Sequence, residues 1–285
     1  MESEVTRAFR YCEDLVRNHY ENFPVASWFV PSDKRPYVSA LYAFARSADD
    51  FADEGSCPAA DRLRRLDEWE QNLDRCISGS AEHLIFIALG ETIRRTGIPR
   101  QLLVDLLDAF RMDVTTSRFR TFNDVLGYCR LSANPVGQLV LYLFDDANER
   151  TIPFSDEICT GLQLANFWQD VAPDWRKGRL YIPLEDIDRF GYTLNDLNKN
   201  VANDRFRELL RFQVKRTRDF FDRGRPLLTR CVPDLRFELA LTWRGGMGIL
   251  NKIENSSYDV LSARPSLSFG DKLRILMSAL VKRKL

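Results

Sequence analysis

The chain has 285 residues, with 41 Lys+Arg against 41 Asp+Glu, a formal net charge of zero and 45% hydrophobic residues. A balanced surface lacks the basic excess that nucleic-acid binding needs, and this much apolar and aromatic content excludes a disordered chain. Six scattered cysteines without a CxxC pair read as reduced thiols, and with only His19 and His83 no close-spaced Cys/His or HExxH zinc site can be assembled.

In chain order, apolar residues at helical spacing predict helices over residues 4–19, 33–54, 59–77 and 80–95. Leu102, Leu103, Leu106, Leu107 and Phe110 form the next stripe, with Pro99 suited to its first turn. Helices over 121–145 and 155–172 follow, then a stripe from Phe206 to Phe221 that Gly224 and Pro226 end, then 233–254 and 269–284. The breakers between them are single turn signals, and no solenoid repeat or long linker intervenes. The expectation is therefore one all-α domain over residues 1–285, because helices with one apolar face must bury it against one another. The start MESEVTRAFRYCEDL lacks the apolar core of a signal peptide. The longest apolar runs, Leu84 to Leu89 and Leu139 to Phe144, fall far below the ~20 residues of a membrane span. A cytoplasmic protein is expected, either soluble or lying on the inner membrane surface.

Two constellations carry possible chemistry. In the first, Asp49 and Asp53 lie four apart on a helix, with Arg46 and then Tyr42 one turn before them. Carboxylates crowded at a helix C-terminal end repel one another and oppose the macrodipole. The neighbouring Leu41, Phe44 and Phe51 argue for burial, so a hard divalent cation is the economical compensation. In the second, Asn166, Asp170 and Asp174 recur every four residues, followed by Lys177 and Arg179. Pro173 interrupts that stripe and predicts a kink or stop near Ala172. Either cluster alone is matched by an ordinary solvated helix face. Together they suit magnesium and a diphosphate, with Arg46, Lys177 and Arg179 as phosphate donors and aromatic faces to shelter a carbocation.

These motifs resemble the squalene and phytoene synthase family. The resemblance runs through His19 to Phe23, the YxxxRxxDDxxD of residues 42–53, YCRLSANPVG from Tyr128, the QxxNxxxDxxxD of 163–174, the RxY of 179–181 and YDVLSARPSL from Tyr258. It implies an all-helical isoprenoid-synthase bundle around a central cavity, Mg²⁺ and a prenyl diphosphate substrate. It further implies that Asp49, Asp53, Asn166, Asp170 and Asp174 bind metal, the four aspartates being catalytic through it. Tyr42, Arg46, Tyr128, Gln163, Asn166, Arg179, Tyr181 and Arg264 are then the residues that hold the substrate or shape its pocket.

Within the family, Glu21 stands where condensing members grip a second diphosphate, and Gly245-Gly246-Met247-Gly248 stands where many carry a cavity-facing Tyr. Both features look like the branch that forms hydroxysqualene. That branch implies presqualene diphosphate as substrate, water as co-substrate, no NADPH, and functional pairing with a presqualene diphosphate synthase. Its rivals are a head-to-head condensing synthase and a non-catalytic relative acting as an assembly or binding protein. Gly246-x-Gly248 lacks the third glycine and the strand of a dinucleotide site, so it is assigned to helix packing or cavity shape. His19 reads as a packed or capping residue. The basic, amphipathic C-terminal segment reads either as a last core helix or as a contact with anionic lipid.

Overall fold

Apolar spacing becomes helix along most of the chain, and among the described residues the only β contact is an isolated parallel bridge between Arg118 and Leu180. The computed structural model describes residues 3–18, 30–53 and 57–282. Readings placed on His19 to Ser27, including Glu21, on Glu54 and on Arg283 and Lys284 lie outside the described residues. The chain divides into two compact units, Met1–Thr115 with Gln138–Ala147, and Thr116–Gly137 with Asn148–Leu285.

The first unit holds α1 (Glu4–Asn18), α2 (Arg35–Asp53), α3 (Ala59–Ile77), α4 (Leu84–Thr96) and α5 (Arg100–Thr115). Helix α2 lies against all four others. Its fully buried Phe44 stacks on Trp69 and meets Phe86 edge-on, and the Trp69 indole N–H donates to the Phe44 carbonyl at 3.2 Å. Aromatic rings in such arrangements add to the burial of their area.

The second unit is built on α6 (Phe122–Ser132), α8 (Ile152–Gln169), α12 (Asp204–Gly224) and α14 (Pro233–Asn255), with α7 (Asn134–Leu143) beginning in it. Between and after these run α9 (Val171–Arg176), α10 (Leu184–Arg189), α11 (Leu194–Asn198), α13 (Leu227–Arg230) and α15 (Phe269–Lys282). Helix α8 is its centre, packed on α6, α12 and α14. The fully buried Trp168 of α8 donates its indole N–H to Thr217 Oγ1 of α12 at 2.8 Å. Glycines permit the close approach: a Cβ on Gly224 would stand 2.9 Å from both Ile158 N and Phe154 O of α8.

Two expected helices are split. The one over 121–145 breaks at Ala133 because Pro135 cannot donate to the helix interior; α7 restarts there with the proline in its first turn. The break turns the buried Asn134 inward, where its Oδ1 accepts from the Thr160 hydroxyl at 2.9 Å. The one over 155–172 breaks at Asp170 rather than near Ala172. Helices α10, α11 and α13 are too short to show a period and were not expected.

Along α14 the glycines differ. A Cβ on Gly246 would collide with the Phe221 ring and stand 2.9 Å from Leu162 Cδ2, whereas one on Gly245 would meet nothing within 4 Å. Gly246→Ala should therefore destabilise the protein by about 1–3 kcal/mol through overpacking. Gly245→Ala should raise stability by about 0.5–1 kcal/mol through the helix preference of alanine. Thermal or urea melts of the two variants check both signs.

Candidate active site

The first acidic motif ends α2. Arg46 Nη1 lies 3.1 Å from Asp49 Oδ2 and its Nη2 lies 2.6 Å from Asp50 Oδ1, so one guanidinium bridges two carboxylates and offsets one of their two charges. Asp50 was not among the expected site residues; it accounts for half of that pairing. The side chains of Asp49 and Asp50 are 37% and 40% exposed and Asp53 is exposed, which corrects the expectation of burial: the apolar residues of the segment face the core and the carboxylates face outward. Arg62 of α3 donates to the Ala52 carbonyl at 2.8 Å and so caps the same helix end with positive charge. Tyr42, half-buried one turn before Arg46, has its hydroxyl pKa pushed up by burial, with Arg46 opposing and Asp50 and Asp49 adding to the rise.

The second motif survives its proline. Asp170 leaves helical geometry at φ −106° and ψ 18°, closing α8 and opening α9. Pro173 thereby falls in the first turn of a new helix, where its missing N–H costs nothing. The four-residue step persists across the break, since Asp170 N donates to Asn166 O and Asp174 N to Asp170 O, both at 2.9 Å. Asn166 Nδ2 donates to Asp170 Oδ2 at 2.6 Å. Arg264 donates Nε and Nη2 to the two oxygens of Asp170, the second at 3.0 Å, a bidentate charge-assisted pair. Gln163 is half-buried one turn before Asn166 on α8.

Helix α9 closes in a left-handed turn. Gly178 at φ 83° lets Arg179 N reach Asp174 O at 2.8 Å and Gly178 N reach Trp175 O at 2.9 Å, a Schellman cap. The turn folds Lys177 and Arg179 back toward Asp174. Burial and the neighbouring Asp170 push the Asp174 carboxyl up to about 6, against the pull of Lys177, Arg179 and Arg264.

Three residues that fix this arrangement escaped sequence reading. Arg118 donates to the Gly178 carbonyl at 2.5 Å and lies over the Trp175 ring. Gln169, buried next to Asp170, donates to Pro265 O at 2.5 Å and so anchors the loop that carries Arg264. Arg62 acts on α2 as described. The partners of Arg118 and Gln169 lie 60 and 96 residues away, beyond any local pattern.

Tyr128 and Tyr181 sit in a buried aromatic cluster with Phe119 and Phe167. The Tyr181 ring stacks on Phe167 with centroids 3.8 Å apart, directly after Asn166 in the chain. Both tyrosines pack against Phe167 of α8. His83 is an N-cap of α4 whose Nδ1 accepts from Ile85 N, and all six cysteines are free.

Among the described residues no three acidic, histidine or cysteine groups converge into a preformed metal cluster. The donor set still fits a hard divalent cation. It is oxygen only, and Asp49, Asp50 and Asp170 already hold a cationic group. Magnesium takes one or two carboxylates from a protein and completes its shell with water and phosphate.

Similarity to known proteins agrees with the motifs. The sequence pattern of the squalene/phytoene synthase family matches residues 16–271. A phytoene synthase of Arthrospira platensis is 29% identical over 299 residues, covering 100% of this chain and 96% of that protein. A hydroxysqualene synthase of Rhodopseudomonas palustris is 34% identical over 223 residues, covering 78% of this chain and 75% of its own. The crystal structure of squalene synthase HpnC from Alicyclobacillus acidocaldarius superposes with a TM-score of 0.86 at 38% identity, over 90% of this chain and 97% of that one. With its all-α fold, its paired acidic motifs and this match over most of its length, the chain belongs to the squalene/phytoene synthase family.

Proposed function

We infer that this protein, as a member of a family that processes prenyl diphosphates, takes a prenyl diphosphate as substrate. We propose that this protein acts on presqualene diphosphate, expels diphosphate and captures the rearranged carbocation with water to give hydroxysqualene, without NADPH, and that residues 1–285 serve this one reaction. The observation that carries the reading is the oxygen stripe Asn166, Asp170 and Asp174, kept in register across Pro173 and countered by Arg264, Lys177 and Arg179. Likeness to the hydroxysqualene synthase of R. palustris supports the choice of branch.

Asp49, Asp53, Asn166, Asp170 and Asp174 are the residues we assign to magnesium. When bound, the metal would stabilise the negative charge that builds on the departing diphosphate. Arg46 and Arg264 keep their carboxylates from repelling one another before substrate arrives, and their guanidinium donors then serve phosphate oxygens. Arg179, in the turn at Gly178, is assigned to the same phosphate group, with Tyr42 and Gln163 as polar groups of the substrate site. Tyr128 and Tyr181, packed against Phe167 of α8, are assigned to the wall of the substrate pocket.

Asp49→Asn and Asp170→Asn should each reduce turnover by roughly 100-fold or more, the scale of losing one preorganised electrostatic contact to a transition state. Each should cost at most about 1 kcal/mol of stability, because partly exposed ion pairs contribute little. Magnesium should raise the melting temperature of the wild type and raise it less in either variant. Normal turnover in a variant removes that residue from the site.

A head-to-head condensing synthase is the second reading, favoured by the phytoene synthase of A. platensis that aligns with the whole chain. Mass spectrometry of products separates the two. Presqualene diphosphate with magnesium should yield hydroxysqualene and diphosphate, while farnesyl or geranylgeranyl diphosphate should yield no presqualene diphosphate and no C40 product. The opposite result establishes the condensing reading.

We assign α15 to a lipid surface, where a C30 substrate partitions. No helix among the described residues is long and apolar enough to cross a membrane. On α15, however, Phe269, Leu273 and Met277 repeat every four residues at 82%, 48% and 53% exposure, flanked by exposed Lys272 and Arg274. With ~1 kcal/mol per basic residue near an anionic surface, removing Lys282, Arg283 and Lys284 should weaken binding to anionic vesicles roughly 100-fold. Unchanged sedimentation with such vesicles would remove the lipid role.

A further inference from the structure

The segment between α14 and α15 has no regular structure, and three of its carbonyls take their donors from side chains elsewhere in the second unit. Arg207 Nη1 donates to Ser257 O at 2.5 Å, Asn200 Nδ2 to Leu261 O at 3.1 Å and Gln169 Nε2 to Pro265 O at 2.5 Å. The third contact stands next to the cation of the segment. Pro265 directly follows Arg264, and Gln169 directly precedes Asp170, the carboxylate that Arg264 grips. Two chain links and two sets of hydrogen bonds therefore close a ring through Gln169, Asp170, Arg264 and Pro265.

Proline fixes its own φ and pushes the residue before it to extended backbone, so a hold on Pro265 O is a hold on the backbone of Arg264. Gln169 and Pro265 are both buried, whereas the Arg264 side chain is 51% exposed. An exposed ion pair restrains a long side chain only weakly. The direction of the guanidinium fork thus depends on the backbone that carries it, and the amide of Gln169 holds that backbone from α8. Because Gln169 is neutral, its contribution to anion binding is not a charge of its own.

We infer that Gln169 is a positioning residue: by holding Pro265 O it aims the planar donor fork of Arg264 at the Asp170 carboxylate, and so at the diphosphate assigned to this site. The assignment rests on the diphosphate reading above and not on the choice of branch. A guanidinium serves two acceptors only in one orientation, since its N–H groups lie in a fixed plane, while an ammonium is a point charge that needs no such aim. That difference separates positioning from a general part in folding.

Isothermal titration of inorganic pyrophosphate in the presence of magnesium tests this on the wild type, Gln169→Met, Arg264→Lys and the double variant. Gln169→Met keeps an unbranched side chain of similar length and removes the donor. With Arg264 present it should weaken pyrophosphate binding about 10-fold, the scale of losing a hydrogen-bond partner that orients a ligating group. In the Arg264→Lys background the same change should cost less than about twofold, because the two effects run through one residue and do not add. Gln169→Asn, one methylene shorter, keeps the amide but not its reach and should repeat the pattern. Melting temperatures are recorded for every variant.

Wild-type affinity in Gln169→Met overturns the inference. Equal losses in the two backgrounds also overturn it, because a general loosening of the fold does not depend on which cation stands at position 264. Failure of both Gln169 variants to fold overturns it as well, by making the residue part of the core. Wild-type protein that binds no pyrophosphate with magnesium overturns the diphosphate reading and the inference together. The expected coupling in a protein that forms no hydroxysqualene from presqualene diphosphate overturns the choice of branch and leaves Gln169 in its role.

Discussion

Negative charge collected at the C-terminal end of a central helix is the constraint on which each unit is organised. In α2 and again in α8, the helix that touches most of its neighbours finishes in aspartates, where the macrodipole is already negative. Such an end is unfavourable unless cations are supplied, and the surrounding architecture supplies them. Arg46 spans Asp49 and Asp50 while Arg62 takes the Ala52 carbonyl; Arg264 grips Asp170 while a left-handed turn returns Lys177 and Arg179 toward Asp174. Much of the local structure exists to hold these cations. Arg118 fixes the turn, Gln169 fixes the Arg264 loop, and the aromatic cluster of Phe119, Tyr128, Phe167 and Tyr181 fixes the face of α8.

The long amphipathic helices and the two acidic motifs were legible in the sequence because both are local patterns with a period. Helix α3 matches its expected limits, and the stripe ended by Gly224 is α12. The interruptions were harder to place. Pro173 announces a break, yet the break falls three residues earlier, because a proline is best tolerated in the first turn of the helix that follows. The same rule places the start of α7 just before Pro135. Arg118, Gln169 and Arg62 were invisible because nothing about an isolated Arg or Gln tells which distant carbonyl it will meet. Tyr128 and Tyr181 were visible as motif residues, but their ring partners Phe119 and Phe167 were not.

The glycine run of α14 shows how one pattern divides into separate functions once the helix is turned. Gly246 is small because Phe221 and Leu162 leave no room for a side chain, and Gly248 because Leu267 and Ile275 approach it. Gly245 satisfies neither condition. A glycine in a helix interior with space beside it costs stability without packing in return. Glu238 of the same helix carries a cost of another kind, a buried carboxyl oxygen without a partner.

Scarcity of histidine and balance of charge acquire one explanation. With His83 spent on a helix cap, a site built from the described residues draws its charge from carboxylates and guanidinium groups. Those two classes divide the work by environment. Asp49 and Asp170 are each paired with an arginine, Arg46 and Arg264. Burial raises the carboxyls of Asp174, to about 6, and of Glu238, to about 7. Environment sets how each carboxyl behaves, and at Asp174 burial outweighs the pull of Lys177, Arg179 and Arg264.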